Sequence, residues 1–245
     1  MGRLANLLAD NAARRATDAE DATLGERLVR LREWQAARLA ATYADLAAVP
    51  RYAAMVAFFL DDLYGGADLA PRDRDLARAA GALERMLPHP ALMTLEGAIE
   101  LELTTQDLDA RLARCLAADA PVTAARYAAA YRESATRAER EAQLASILSL
   151  GRSLDGLVAK PGLGLLLRLT RAPARAAGLD ALQAFLERGH AAFLATQGAE
   201  EFLATVGARE LRLLDRLYRD DCDVADGPVD AGARSFRSTS KQALA

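Results

Sequence analysis

Two histidines are all the chain offers for imidazole chemistry: His89, set between prolines, and His190, in the run Glu187-Arg188-Gly189-His190. A di-iron carboxylate centre in a helical bundle needs two Glu-x-x-His pairs on facing helices, so that carboxylates and imidazoles converge on both metals. Glu187 and His190 form one such pair. Position 86, three before His89, is Met, so there is no second. His190 alone could serve as an axial haem ligand, but a lone helical histidine is the ordinary pattern of a packing or surface residue.

The carboxylates come no closer to a site. Asp61-Asp62 resembles the start of an aspartate-rich Mg²⁺–diphosphate motif, yet Gly65-Gly66 ends the helix before Asp68 can share its face. No second aspartate-rich motif appears on a facing helix, and Asp220, Asp221, Asp223 and Asp226 fall at the edge of a polar tail. In the near-miss calcium loop Asp221, Asp223, Asp226 and Gly227, the third acid is one place late. Position 232, where a bidentate Glu is required, is Gly. Gly162-Leu163-Gly164 lacks the preceding strand and the Gly-Lys-Ser/Thr of a phosphate loop, and no G-x-S-x-G nucleophile motif is present. Cys115 and Cys222 have no zinc spacing, and Cys115 shares a helix with Leu108 and Leu112, which reads as a buried thiol. No metal and no cofactor is expected, and no catalytic residue is assigned.

Three polar residues stand where helical phase calls for burial. Gln35 lies between Leu31 and Leu39, with Trp34 beside it. Glu102 lies one turn past Ile99, and Glu210 sits in the row Leu203, Val206, Leu213, Leu217. A buried polar group without a partner costs several kcal/mol or, if a carboxylate, takes up a proton. Arg38, Arg51 and Arg209 are the natural partners, so a buried polar network is expected. Structural tethering is favoured over an acid–base or ligand role.

These groups must be positioned by helices, and the stretch Arg51–Gly66 organises them. Tyr52, Met55, Val56, Phe59, Leu60 and Leu63 follow one stripe of period 3.6. Pro50 suits a first turn and Gly65-Gly66 a stop. Asp62, near the C-terminal end where the helix dipole disfavours an anion, calls for an arginine partner. The run Phe58-Phe59-Leu60-Asp61-Asp62-Leu63-Tyr64-Gly65 resembles the FF-x-x-DLYG signature of an uncharacterised bacterial all-helical family. Trp34-Gln35, Arg38-Leu39 and Arg209-Glu210 are weaker echoes, and the resemblance spans roughly residues 27 to 218. It implies an all-helical fold and carries no activity with it.

The composition agrees. Of 245 residues 52% are hydrophobic, much of that alanine, and only 5% are aromatic. Alanine and leucine favour helix, and no window alternates as a strand would. Breaks at Pro and Gly are evenly spread. The chain therefore reads as all-α, one multi-helix bundle of about seven to nine helices. Residues 1–20 form a loosely attached N-terminal segment, 21–222 a single helical domain, and 223–245 a disordered tail. A long helix is expected from Thr23 to Val49, and a short, very apolar one from Leu163 to Arg171. Gly151 suggests a close helix crossing, and Thr123 a helix cap.

A net charge of −3 gives no general attraction for nucleic acid. No apolar run of about 18 or more residues could span a bilayer, and the reading is a soluble cytoplasmic protein. Two functions compete. One is a helical interaction or regulatory protein, homodimeric, working through an apolar surface near Leu163–Leu169. The other binds a small apolar ligand between helices, against Phe58, Phe59 and Tyr64. A third, membrane-surface binding, ranks lowest because no helix pairs a basic face with a strong apolar one. Arg168, Arg171 and Arg175 come nearest.

Overall fold

The computed structural model describes residues 2–64, 70–118 and 120–219, with Ala19, Tyr64 and Ala70 by their backbone only. The described chain is helical throughout, with no strand. Its α-helices are α1 Arg3–Glu20, α2 Ala22–Thr42, α3 Ala44–Ala47, α4 Pro50–Ala57, α5 Ala70–Met86 and α6 His89–Cys115. They continue as α7 Ala124–Ser134, α8 Arg137–Val158, α9 Leu163–Ala176, α10 Asp180–Thr196 and α11 Glu200–Leu217. A π-helical segment, Phe58–Tyr64, follows α4 directly. These eleven α-helices exceed the seven to nine expected: α1 is a full helix, and the segment read as one helix from Thr23 to Val49 is two, α2 and α3. Two segments read as continuous are broken.

The first break is at Tyr43, whose φ of −112° and ψ of 15° end α2 well before Val49. The single turn α3 follows. Val49 is then extended (φ −88°, ψ 117°), as the residue before a proline must be. The second lies inside the organising stretch. Tyr52, Met55 and Val56 are buried as the 3.6 period requires, but from Phe58 the backbone widens into π turns. More residues per turn shift the phase, so Phe58 turns inward while Leu63 is left 39% exposed. Elsewhere a helix runs longer than its breakers suggest. α9 continues through Pro173 to Ala176, and the carbonyl deprived of its partner belongs to exposed Leu169, where water can serve it.

Three clusters make up the core. Leu24, Leu28 and Leu31 of α2 pack with Leu112 and Leu116, with Tyr127 and Ala128 of α7, and with Leu217 of α11. Tyr52, Met55, Val56 and Phe58 pack with Phe193 of α10 and Phe202 and Leu203 of α11. Leu4 and Leu8 of α1 meet Leu76, Ile99 and Leu182. The last cluster corrects the expectation for residues 1–20: α1 is anchored, with Leu4 fully buried. The predicted tail, from residue 223, lies outside the described residues.

Capping side chains set several helix starts. Asp21 accepts from Leu24 N at 3.0 Å, Thr123 from Arg126 N, and Thr136 with Glu139 closes a capping box on α8. The close crossing forecast at Gly151 is present and is reciprocal. A Cβ on Gly151 of α8 would sit 2.6 Å from Leu203 of α11, and one on Gly207 of α11 would sit 2.9 Å from Leu148 of α8. Each helix sends a leucine into the other's glycine notch.

Candidate functional site

A polar spine runs through the middle of the fold. Gln35 and Arg38 come from α2, Asp109 from α6, Ser134 from α7 and Arg140 from α8, and all are buried. Gln35 Nε2 donates to Asp109 Oδ1 at 3.2 Å, and Gln35 Oε1 has no partner among the described residues. Burial pushes the Asp109 carboxyl pKa up, against the pull of the Gln35 hydrogen bond and of nearby Arg32 and Arg140. Arg38 Nη1 donates to Glu210 Oε1 at 2.7 Å, and the Tyr43 hydroxyl donates to the same oxygen at 2.7 Å. Arg140 lies with its guanidinium 4.1 Å from the centre of the Tyr131 ring and reaches Ser134 Oγ at 3.4 Å.

Aromatic rings flank this spine in a row. Trp34 stacks on Tyr127 with centroids 4.2 Å apart, Tyr127 meets Tyr131 at 5.5 Å, and Tyr131 meets Tyr218 at 5.8 Å. The Tyr218 hydroxyl closes the row by donating to the carbonyl of Ala135 at 2.7 Å. Five helices, α2, α6, α7, α8 and α11, are thereby tied through polar groups as well as leucines. An open cleft of about 500 Å³ lies between α6 and α8, lined by Leu103, Asp107, Arg111, Glu139 and Gln143 among others. None of the spine residues named above lines it.

The three polar residues singled out by phase do not share one network. Glu102 belongs to a separate cluster where α1, α5 and α6 meet: it accepts from Arg15, from Arg72 Nη2 at 3.2 Å and from Gln106 Nε2 at 3.3 Å. Of the three proposed arginine partners only Arg38 joins the spine. Arg51 instead donates to the carbonyls of Thr196 and Gly198 and to Glu201. Arg209 grips Asp45 and the carbonyl of Thr42, and its hydrogen bonds hold the Asp45 carboxyl down to about 2.

Sequence reasoning missed Asp109 and Arg140. Both carried a usable signal. Asp109 is one turn before Leu112 and two before Leu116, and Arg140 is one turn before Leu144, so each sits in the buried row of its helix.

The rings expected to line a ligand pocket are interlocked instead. Phe58 is buried, 5.4 Å from Phe185, and its ring lies over Gly189, where an added Cβ would be 3.1 Å from Cζ. Phe59 meets Phe202 at 6.3 Å. Asp62 does find an arginine: Arg188 Nε donates to its two oxygens at 2.9 and 3.1 Å. The Tyr64 side chain lies outside the described residues. Glu187 is engaged by Arg171 at 2.8 Å, and His190 packs over Gly164. Among the described residues no cluster of His, Cys, Asp or Glu is placed to hold a metal ion. Burial raises the pKa of the Cys115 thiol, which is only partly buried. Cys222 and the acidic run from Asp220 lie outside the described residues.

A family model, Domain of unknown function (DUF8198), matches residues 14–224. The chain belongs to the DUF8198 family. The match reaches from within α1 past the end of α11, so it takes in the spine, the Phe58 stretch and α9. No curated protein and no solved structure matches the chain.

One more surface of this DUF8198 chain stands out. Leu165, Leu166 and Leu169 of α9 are 52%, 54% and 66% exposed, and no residue of α9 is buried. Its other side rests on α10, where Gln183 Nε2 donates to the carbonyl of Leu167 at 2.6 Å. Among the described residues no helix is long and apolar enough to cross a membrane.

Proposed function

We propose that this chain is a non-catalytic interaction module of the cytoplasm, a single helical domain with its working surface on α9. The observation that carries the reading is the exposure of Leu165, Leu166 and Leu169 together on one helix. Removing the remaining surface of such leucines from water stabilises a docked state by about 1 kcal/mol each. Grouped apolar side chains at a protein surface are the usual mark of a binding face. The polar spine serves as scaffold in this reading, since Arg38 is spent on Glu210 and Arg140 on the Tyr131 ring. The tight seat of Phe58 over Gly189 weighs against the alternative of an apolar ligand held at Phe58, Phe59 and Tyr64.

The test is a chain carrying Leu165→Ser, Leu166→Ser and Leu169→Ser, compared with the wild type by thermal melting and by sedimentation with and without binding surfaces. The reading expects an unchanged melting temperature and lost association. A large drop in melting temperature would make these leucines part of the core. A wild-type chain that associates with nothing, itself included, would also end the reading.

A further inference from the structure

The interaction reading leaves open what covers α9, and the charge around it answers that. We propose that α9 docks the chain on an anionic lipid surface, an inference that rests on the reading above. From Gly156 to Leu179 the sequence holds Lys160, Arg168, Arg171 and Arg175 and no acidic residue, in a chain of net charge −3. At about 100° per residue, Leu165, Leu169, Ala172 and Ala176 fall together, with Leu166 and Pro173 at one edge. Arg168, Arg171 and Arg175 fall along the other edge. All nine are exposed. The helix thus pairs the basic edge with the apolar face that the sequence reading did not find, the arrangement by which interfacial helices sit at the headgroup boundary.

The basic edge is open to phosphate. Arg168 and Lys160 are exposed and have no partner among the described residues. Arg175 meets Asp180 at 3.5 Å with both side chains exposed, a pair that holds weakly and yields to competing anions, whereas Arg171 is held by Glu187 through two hydrogen bonds at 2.9 and 2.8 Å and adds less to the edge. A second copy fits the face less well. Packing α9 on its own twin brings arginine edges close across a helix spacing of about 8–10 Å; α9 itself has no carboxylate, and Glu187 and Asp180 of α10 are already engaged by Arg171 and Arg175 within each copy. A protein partner would be expected to meet aromatic or hydrogen-bonding anchors in the middle of the patch. The apolar arc holds only Leu, Ala and Pro. A bilayer needs no such anchors.

Flotation of the full chain with vesicles of phosphatidylcholine alone, and of phosphatidylcholine mixed with phosphatidylglycerol, tests the proposal. The expected result is binding to the mixed vesicles only, weakened by salt. It should fall about fivefold with Arg168→Gln and vanish with Leu166→Ser plus Leu169→Ser, while melting is unchanged. Binding that ignores these substitutions would overturn the assignment to α9. Absence of vesicle binding, together with a dimer that Leu169→Ser dissociates, would overturn the lipid inference and leave the interaction reading standing. Neither binding nor dimer would overturn both.

Discussion

Arg38 and Glu210 stand 172 positions apart in the chain and meet at 2.7 Å, with the Tyr43 hydroxyl on the same carboxylate oxygen. The Arg38 side chain is only 9% exposed, so its charge depends on Glu210 for compensation. Glu210→Ala leaves that charge buried and unpaired and is expected to cost roughly 3–5 kcal/mol. Glu210→Gln, which keeps an acceptor, should cost less. Replacing both partners by apolar residues of similar size should recover much of the loss. Urea denaturation of the three variants checks the order, and a Glu210→Ala loss below about 0.5 kcal/mol would mean that water serves Arg38 instead.

Asp109 makes the stability of the fold depend on pH. Its pKa is raised in the folded chain, so between the ordinary aspartate value of about 3.9 and that raised value the folded state binds more protons than the unfolded one. Stability from this group therefore falls as pH rises through the window. Asp109→Asn keeps the acceptor for Gln35 and removes the charge. The variant is expected to be more stable than wild type at neutral pH, with the gain closing as pH drops below about 4. Thermal melts at several pH values read this directly; an Asn variant less stable at pH 7 would show that Arg32 and Arg140 outweigh burial.

The acid limb belongs to other carboxylates. Thr136 holds Glu139 down to about 2 through its backbone N–H and hydroxyl, and Arg209 does the same for Asp45. Depressed carboxylates contribute stability that is fully present above the ordinary range near about 4 and is lost as pH falls toward about 2. Glu139→Gln should flatten that part of the profile. An unchanged acid transition would rule the capping box out as its source.

Two glycines of α8 separate packing from propensity. Gly156 has open space where a Cβ would stand, so Gly156→Ala should stabilise by about 0.5–1 kcal/mol. Gly151→Ala gains the same propensity but drives a methyl into Leu203, itself buried, and should lose about 1–3 kcal/mol to overpacking. Opposite signs in chemical denaturation are the expected outcome, and equal signs would mean that the α8–α11 crossing is loose.

Asp75 of α5 caps a helix it does not belong to: its Oδ2 accepts from Ala181 N at 3.0 Å and Leu182 N at 3.1 Å, at the start of α10. Asp75→Ala strands both donors, and a loss of about 0.5–2 kcal/mol is expected. Faster amide exchange at residues 181 and 182 would locate the effect; unchanged exchange would show that the cap is not what orders this turn.

Much of this protein was readable one helix at a time. The leucine rows of α2 and α8, the Thr123 cap, the glycine notch at Gly151, the arginine needed by Asp62 and the apolar exposure near Leu165 all follow from local spacing and composition. So did the burial of Gln35. Those signals are local because helical hydrogen bonds close within four residues and an amphipathic stripe declares which side is inside. What faces what was not local. The pairing of Arg38 with Glu210, of Gln35 with Asp109, and the capture of Glu102 by Arg15 and Arg72 depend on which helices become neighbours, and period alone assigns an inside without naming its occupant. The π turns at Phe58 escaped for a related reason: the 3.6 stripe continues unbroken in the sequence, and only packing against Phe185 and Gly189 selects the wider turn that seats Phe58 and releases Leu63.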